Sequence, residues 1–186
     1  DHTTVASEVQ VRGEGSGVIL DSTPPSSARQ LQASQAPSSP PPAPLLSASG
    51  ANIFTIASGS PPITLTSLTM RGHVGAPAVA FMSNSSPTTG VIDLTIDSCH
   101  FLDNPGSAIE VAGGRVLVMR SAFYGNGHSG SDGGAITIRN SDFRMQSCAL
   151  DGNGAAAHTN GGAIQMLDGY AELINCELSQ NSARYG

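Results

Sequence analysis

LTIDSCHFLDN at 94–104, VLVMRSAFYGN at 116–126, FRMQSCALDGN at 143–153 and AELINCELSQN at 171–181 are four copies of one pattern. In each, two apolar residues stand two apart, a small residue follows three later, another apolar residue two further on, and Asn closes the unit. Leu94, Ile96, Cys99, Phe101 and Asn104 thus correspond to Val116, Val118, Ser121, Phe123 and Asn126. The same places are filled by Phe143, Met145, Cys148, Leu150 and Asn153, and by Ala171, Leu173, Cys176, Leu178 and Asn181. The Asn residues recur at steps of 22, 27 and 28. Between copies a second motif returns, GSAI at 106–109 and GGAI at 133–136 and 161–164. Two interleaved motifs within one period predict a coil with two strands per turn.

Residues at i and i+2 share one face of a strand. The shared positions are apolar in every copy, so parallel stacking of turns about 4.8 Å apart buries them in one continuous column. Glu110, Thr137 and Gln165 take the alternate places of the second strand and read as its solvated face. No 3.6-residue period survives the interrupting Gly and β-branched residues, which excludes a helix.

Before these copies, ITLTSLTMRG at 63–72 is a fifth, with Ile63, Leu65, Leu68, Met70 and His73 in the five places and Ala78 to Phe81 as its second strand. Residues 1–21 carry short apolar runs around Val9, Val11 and Val18 to Leu20 and read as strand, turn and strand. Residues 22–50 are rich in Pro and Ser, including SSPPPAP at 38–44, and read as an inserted loop because proline cannot donate to a ladder. The expected fold is therefore all-β, a right-handed parallel β-helix of about five turns plus an irregular N-terminal turn. Residues 51–186 hold the turns, and the last copy stops where another GGAI strand is due, which predicts a fragment of a longer chain.

The 186 residues include 22 Gly and 12 Pro, only 4% aromatics, no Trp, and a net charge of −6. An acidic chain without a basic stripe does not suit nucleic acid. No apolar run reaches the roughly 18–20 residues of a membrane helix, so no membrane contact is expected of this segment.

Asn104, Asn126, Asn153 and Asn181 are expected to form an inward ladder. Each would sit at a sharp bend, tolerate left-handed geometry there, and bond its neighbour through its amide. Cys99, Ser121, Cys148 and Cys176 share one column and read as small buried groups, the cysteines as thiols, because stacked side chains point the same way and fit a disulfide poorly. An odd cysteine count without CxxC gives no zinc signature. Neither a cofactor nor a metal is expected. His128, His158, Asp132 and Asn160 lie in glycine-rich loops that preorganise ligands poorly and read as solvated. Asn84 opens the one Asn-x-Ser/Thr glycosylation signal, which matters in a secretory compartment.

The repeat places Asp97, Met119, Gln146 and Ile174 in one outward column and Thr95, Leu117, Arg144 and Glu172 in another. Neither stacks the two carboxylates that glycoside hydrolysis needs. Arg144 beside Glu172 reads as a surface ion pair. Leu117, Met119 and Ile174 put apolar side chains on a face that should be wet, which predicts a partner face.

The alternation of FLDN at 101–104, FYGN at 123–126, LDGN at 150–153 and LSQN at 178–181 with GGAI resembles the repeats of chlamydial polymorphic outer membrane proteins, among the right-handed parallel β-helices of pectin-lyase-like type. The resemblance covers residues 53–186, and VQVRGEGSGVILD at 9–21 is similar to an opening turn of such proteins. It implies surface exposure with adhesive or structural work. The Lys-free, Pro- and Ser-rich composition departs from chlamydial usage, and the proline run is similar to those of green-algal extracellular glycoproteins. The expected function is a non-enzymatic structural or adhesive module of an extracellular or cell-surface protein, with further turns, other protein chains or glycans as partners. The second reading is a carbohydrate-binding or polysaccharide-cleaving β-helix whose active site lies in turns outside this segment.

Overall fold

The computed structural model describes residues 9–12, 18–19, 53–56, 62–84, 91–127, 134–154 and 160–184. The strands come in threes. β1 (Val9–Arg12), β2 (Val18–Ile19) and β3 (Phe54–Ile56) are followed by β4 (Ile63–Thr66), β5 (Leu68–Arg71) and β6 (Val79–Met82). Then come β7 (Leu94–Asp97), β8 (His100–Leu102), β9 (Ile109–Ala112), β10 (Arg115–Met119), β11 (Ala122–Tyr124) and β12 (Ile136–Arg139). β13 (Ser141–Gln146), β14 (Ala149–Asp151), β15 (Ile164–Met166), β16 (Gly169–Ile174) and β17 (Glu177–Ser179) complete the described strands.

Each strand pairs in parallel with its counterpart in the next coil. Among the described residues this gives one six-stranded sheet β1-β4-β7-β10-β13-β16, a second of six, β2-β5-β8-β11-β14-β17, and a third of five, β3-β6-β9-β12-β15. The chain is an all-β parallel solenoid. Its register follows the repeat: Ile63, Leu94, Val116, Phe143 and Ala171 align, as do Met70, Phe101, Phe123, Leu150 and Leu178. Val79, Ile109, Ile136 and Ile164 align in the third sheet.

Each coil carries three strands, not the two expected from the interleaved motifs. The longer motif is broken in its middle by a corner. Ser67, Ser98, Arg120, Ser147 and Asn175, each immediately before the third of the five places of its copy (Leu68, Cys99, Ser121, Cys148 and Cys176), have φ between 48° and 56°. Left-handed backbone cannot continue a strand, so one motif yields two strands at an angle. A second corner follows at Gly72, Asp103, Gly125, Gly152 and Gln180, all with positive φ. The left-handed residue is thus the one before each ladder Asn, and the Asn itself takes an ordinary backbone conformation.

The inward columns make one hydrophobic core. Phe101, Phe123 and Phe143 are its largest fully buried side chains. The rings of Phe101 and Phe123 stack at 4.8 Å between centroids and 2° between planes, because register sets them one strand spacing apart.

The outer face of the third sheet differs from expectation. Ala80, Thr137 and Gln165 are 2%, 3% and 6% exposed, so this face is covered over those three, while in the same column Glu110 is half-buried and Thr55 exposed. Period-two alternation determines which way a side chain points, but says nothing of what lies over that face.

Candidate functional site

The feature most completely built is the asparagine ladder. Asn104 Nδ2 donates to Asn126 Oδ1 at 2.8 Å, Asn126 Nδ2 to Asn153 Oδ1 at 2.9 Å, and Asn153 Nδ2 to Asn181 Oδ1 at 2.9 Å. The second hydrogen of each amide goes to a carbonyl of the preceding coil: Met70 for Asn104, Phe101 for Asn126, Phe123 for Asn153 and Leu150 for Asn181. Each Oδ1 also accepts the backbone N–H of the rung before, from His73 to Asn104 at one end and from Asn153 to Asn181 at the other. For Asn126 and Asn153 all four bonding positions of the amide are filled. Both are fully buried, where an unmade bond costs about 1–3 kcal/mol. This is the chemistry of a corner brace. The amides fasten the turning backbone of one coil to the next, and no bonding capacity is left at the inner rungs for a substrate.

Histidine replaces Asn at the first described rung. His73 is buried, and burial lowers its pKa below the usual imidazole value.

The column of Cys99, Ser121, Cys148 and Cys176 braces the other corner. Ser121 Oγ donates to Met119 O at 2.7 Å and accepts Cys99 N–H at 3.1 Å. Cys99 Sγ lies 3.4 Å from Asp97 O, and Cys148 Sγ 3.2 Å from Gln146 O, the same contact one sulfur at a time. All three cysteines are free. Burial pushes the Cys99 and Cys148 thiols up to about 11, which keeps them protonated and poor nucleophiles at neutral pH.

On the outer face of the first sheet, the register places Asp97, Met119, Gln146 and Ile174 in one row and Thr95, Leu117, Arg144 and Glu172 in the next. Leu117 and Met119 are half-buried, and Ile174 is exposed beyond Gln146. Arg144 Nη1 is 3.5 Å from Glu172 Oε2 and its Nε 3.4 Å from Asp142 Oδ1, while Asp142 Oδ2 takes Arg115 Nε at 2.8 Å. A line of alternating charge therefore runs across three strands, with Asp142 as its most buried member. Spacing alone could have found it, since Arg115 and Asp142 are register partners. Arg120 pairs with Asp97 and Arg139 with Glu110 on other outer rows. Exposed pairs of this kind contribute under about 1 kcal/mol each.

Asn84 is exposed, while Ser85 and Ser86 lie outside the described residues, as do His128, Asp132 and His158. Asn160 is described and exposed. Among the described residues, no three His, Cys, Asp or Glu side chains gather where they could hold a metal ion, and no helix is long and apolar enough to cross a membrane.

No protein-family model, curated protein or solved structure matches the chain. The resemblance to polymorphic outer membrane protein repeats rests on the motifs quoted above.

Proposed function

We propose that this chain is a non-enzymatic structural or adhesive module of an extracellular or cell-surface protein. On this reading it is a right-handed, pectin-lyase-like coil, the hand that parallel crossovers overwhelmingly take. The observation that supports it is the division of labour between faces. The inward apolar columns stay apolar at every rung, and the Asn column from Asn104 to Asn181 is braced by a hydrogen-bond ladder. The outward rows change freely, from Thr95 to Leu117 to Arg144 to Glu172. Such a rod can vary its surface without disturbing its core, which suits display, spacing and lateral assembly. Leu117, Met119 and Ile174 are its proposed partner face, and other protein chains or further coils its partners.

The test is surface labelling. Antibody raised against the coil should stain intact cells that produce it, and the stain should disappear on brief external protease treatment. Staining that requires permeabilised cells would overturn the location. Release of reducing ends or unsaturated sugars from a polysaccharide panel by the purified chain would overturn the non-enzymatic reading.

A further inference from the structure

The sequence holds several Asn-Gly and Asp-Gly steps, the dipeptides in which a glycine nitrogen most easily attacks the preceding side-chain carbonyl. The fold treats them very differently. In the ladder, Asn126 and Asn153 have both amide hydrogens and both oxygen positions engaged. The glycine nitrogens that follow are also turned away. Gly127 N–H donates to the carbonyls of Asn104 and Gly106 at 2.8 and 3.1 Å, and Gly154 N–H to that of Asn126 at 2.9 Å. At Asp151-Gly152 the carboxylate accepts Ser179 Oγ at 2.8 Å, and Gly152 N–H donates to Ser179 O at 3.1 Å.

Asp168-Gly169 is the reverse case. Both residues are exposed, and Gly169 N lies 2.7 Å from Oδ1 of the Asp168 side chain. The nucleophilic nitrogen is therefore already folded against the carboxyl group it would attack. The exposure belongs to the corner, because Asn140, at the same register position one coil earlier and flanked by strands on both sides, is exposed as well.

We infer that Asp168 is a site of spontaneous isoaspartate formation in the folded protein, and that the ladder shields Asn126 and Asn153 from the equivalent deamidation. In the first step Gly169 N bonds to Cγ of the protonated Asp168 carboxyl. The Cγ–OH bond breaks, and the hydroxyl leaves as water with the amide hydrogen, giving a succinimide. Water then adds to the ring. Opening at Cγ regenerates aspartate, and opening at the main-chain carbonyl carbon gives isoaspartate, so the net change is an isomerisation that needs no co-reactant. The product routes the chain through Cβ and adds one backbone atom at a corner with no room for it. A Cβ on Gly169 would already lie 2.3 Å from Ser141 O. Isomerisation consequently loosens the start of β16 against β13.

The test is ageing of the full chain in neutral buffer, natively and in denaturant, followed by peptide mapping with an isoaspartate-specific methyltransferase. Natively, isoaspartate accumulates at Asp168, while deamidation at Asn126 and Asn153 is slower than in denaturant by about a hundredfold or more, equivalent to about 2.8 kcal/mol of opening free energy. Asp168→Asn gives a second readout at an exposed position, because cyclisation there now releases ammonia and changes the mass. An Asp168 peptide that stays unmodified natively while Asn126 or Asn153 deamidates overturns the inference. So does a D168N chain that keeps its mass through the same period.

Discussion

Asn126 Nδ2 and Asn153 Oδ1 are 2.9 Å apart, and the backbone N–H of Asn126 reaches the same oxygen at 3.0 Å. One carbonyl oxygen thus holds both the side chain and the main chain of the preceding rung. Asn126→Ala removes the side-chain half of that clamp, strands the buried backbone and Nδ2 donors of Asn104, and takes a donor from the carbonyl of Phe101. A loss of about 3–5 kcal/mol is expected. Asn181→Ala, at a half-buried rung, should cost less. Urea midpoints for the two variants check the order, and equal losses would count against the ladder as the main brace.

The phenylalanine column predicts tolerance of shape. Phe123 sits in register with Leu150 below and Phe101 above. Phe123→Leu repeats a choice the column already contains and should cost under about 1.5 kcal/mol. Phe123→Ala opens a cavity and should cost about 3–5 kcal/mol. Thermal or urea unfolding distinguishes them.

Two glycines separate steric from conformational demand. A Cβ on Gly134 would fall 1.6 Å from the carbonyl oxygen of Gly162, whereas one on Gly152 meets nothing within 4 Å. Gly134→Ala should therefore prevent close stacking of β12 on β15 and give little folded protein. Gly152→Ala pays only for its φ of 61°, about 1–2 kcal/mol. Soluble yield and circular dichroism after purification decide the comparison.

The buried thiols make stability depend on alkali. Cys99 and Cys148 stand at about 11 when folded against 9.0 for the free group, raised by burial. The unfolded chain loses these protons first, so it binds fewer protons than the native state between those values, and stability falls as pH rises from about 9 to about 11. Cys148→Ser should flatten part of that slope in urea titrations. His73 acts at the other end: its lowered value means stability falls as pH drops below the ordinary imidazole range, where the unfolded chain takes up the proton more readily.

The partner face is tested by Leu117→Asp and Met119→Asp. Both side chains point outward from the first sheet, so folding should survive while self-association or partner capture drops. Sedimentation profiles identical to the parent chain would remove the face from the proposal.

Much of this architecture was legible in the chain. The alignment of Leu94, Val116, Phe143 and Ala171 is the register of the first sheet, and the asparagine column is the observed ladder. The third strand per coil was hidden because its corner carries no distinctive residue. Ser98, Arg120 and Asn175 share a left-handed φ but no side-chain chemistry. The covered face over Thr137 and Gln165 was illegible for another reason: alternation records facing, and cover comes from elsewhere in the chain. Asp142 was missed as the centre of a charge line although the repeat spacing already aligns it with Arg115, because both residues lie just before the apolar pair that defines each copy.

Hydrogen exchange of asparagine side chains, followed by NMR after transfer to deuterated water, addresses the stacked and laddered coil most directly. The Nδ2 protons of Asn126 and Asn153 should persist long after those of the exposed Asn140 and Asn175 have vanished. Simultaneous loss from all four would mean that the coils are not fastened through their asparagines, and the ladder would have to be abandoned.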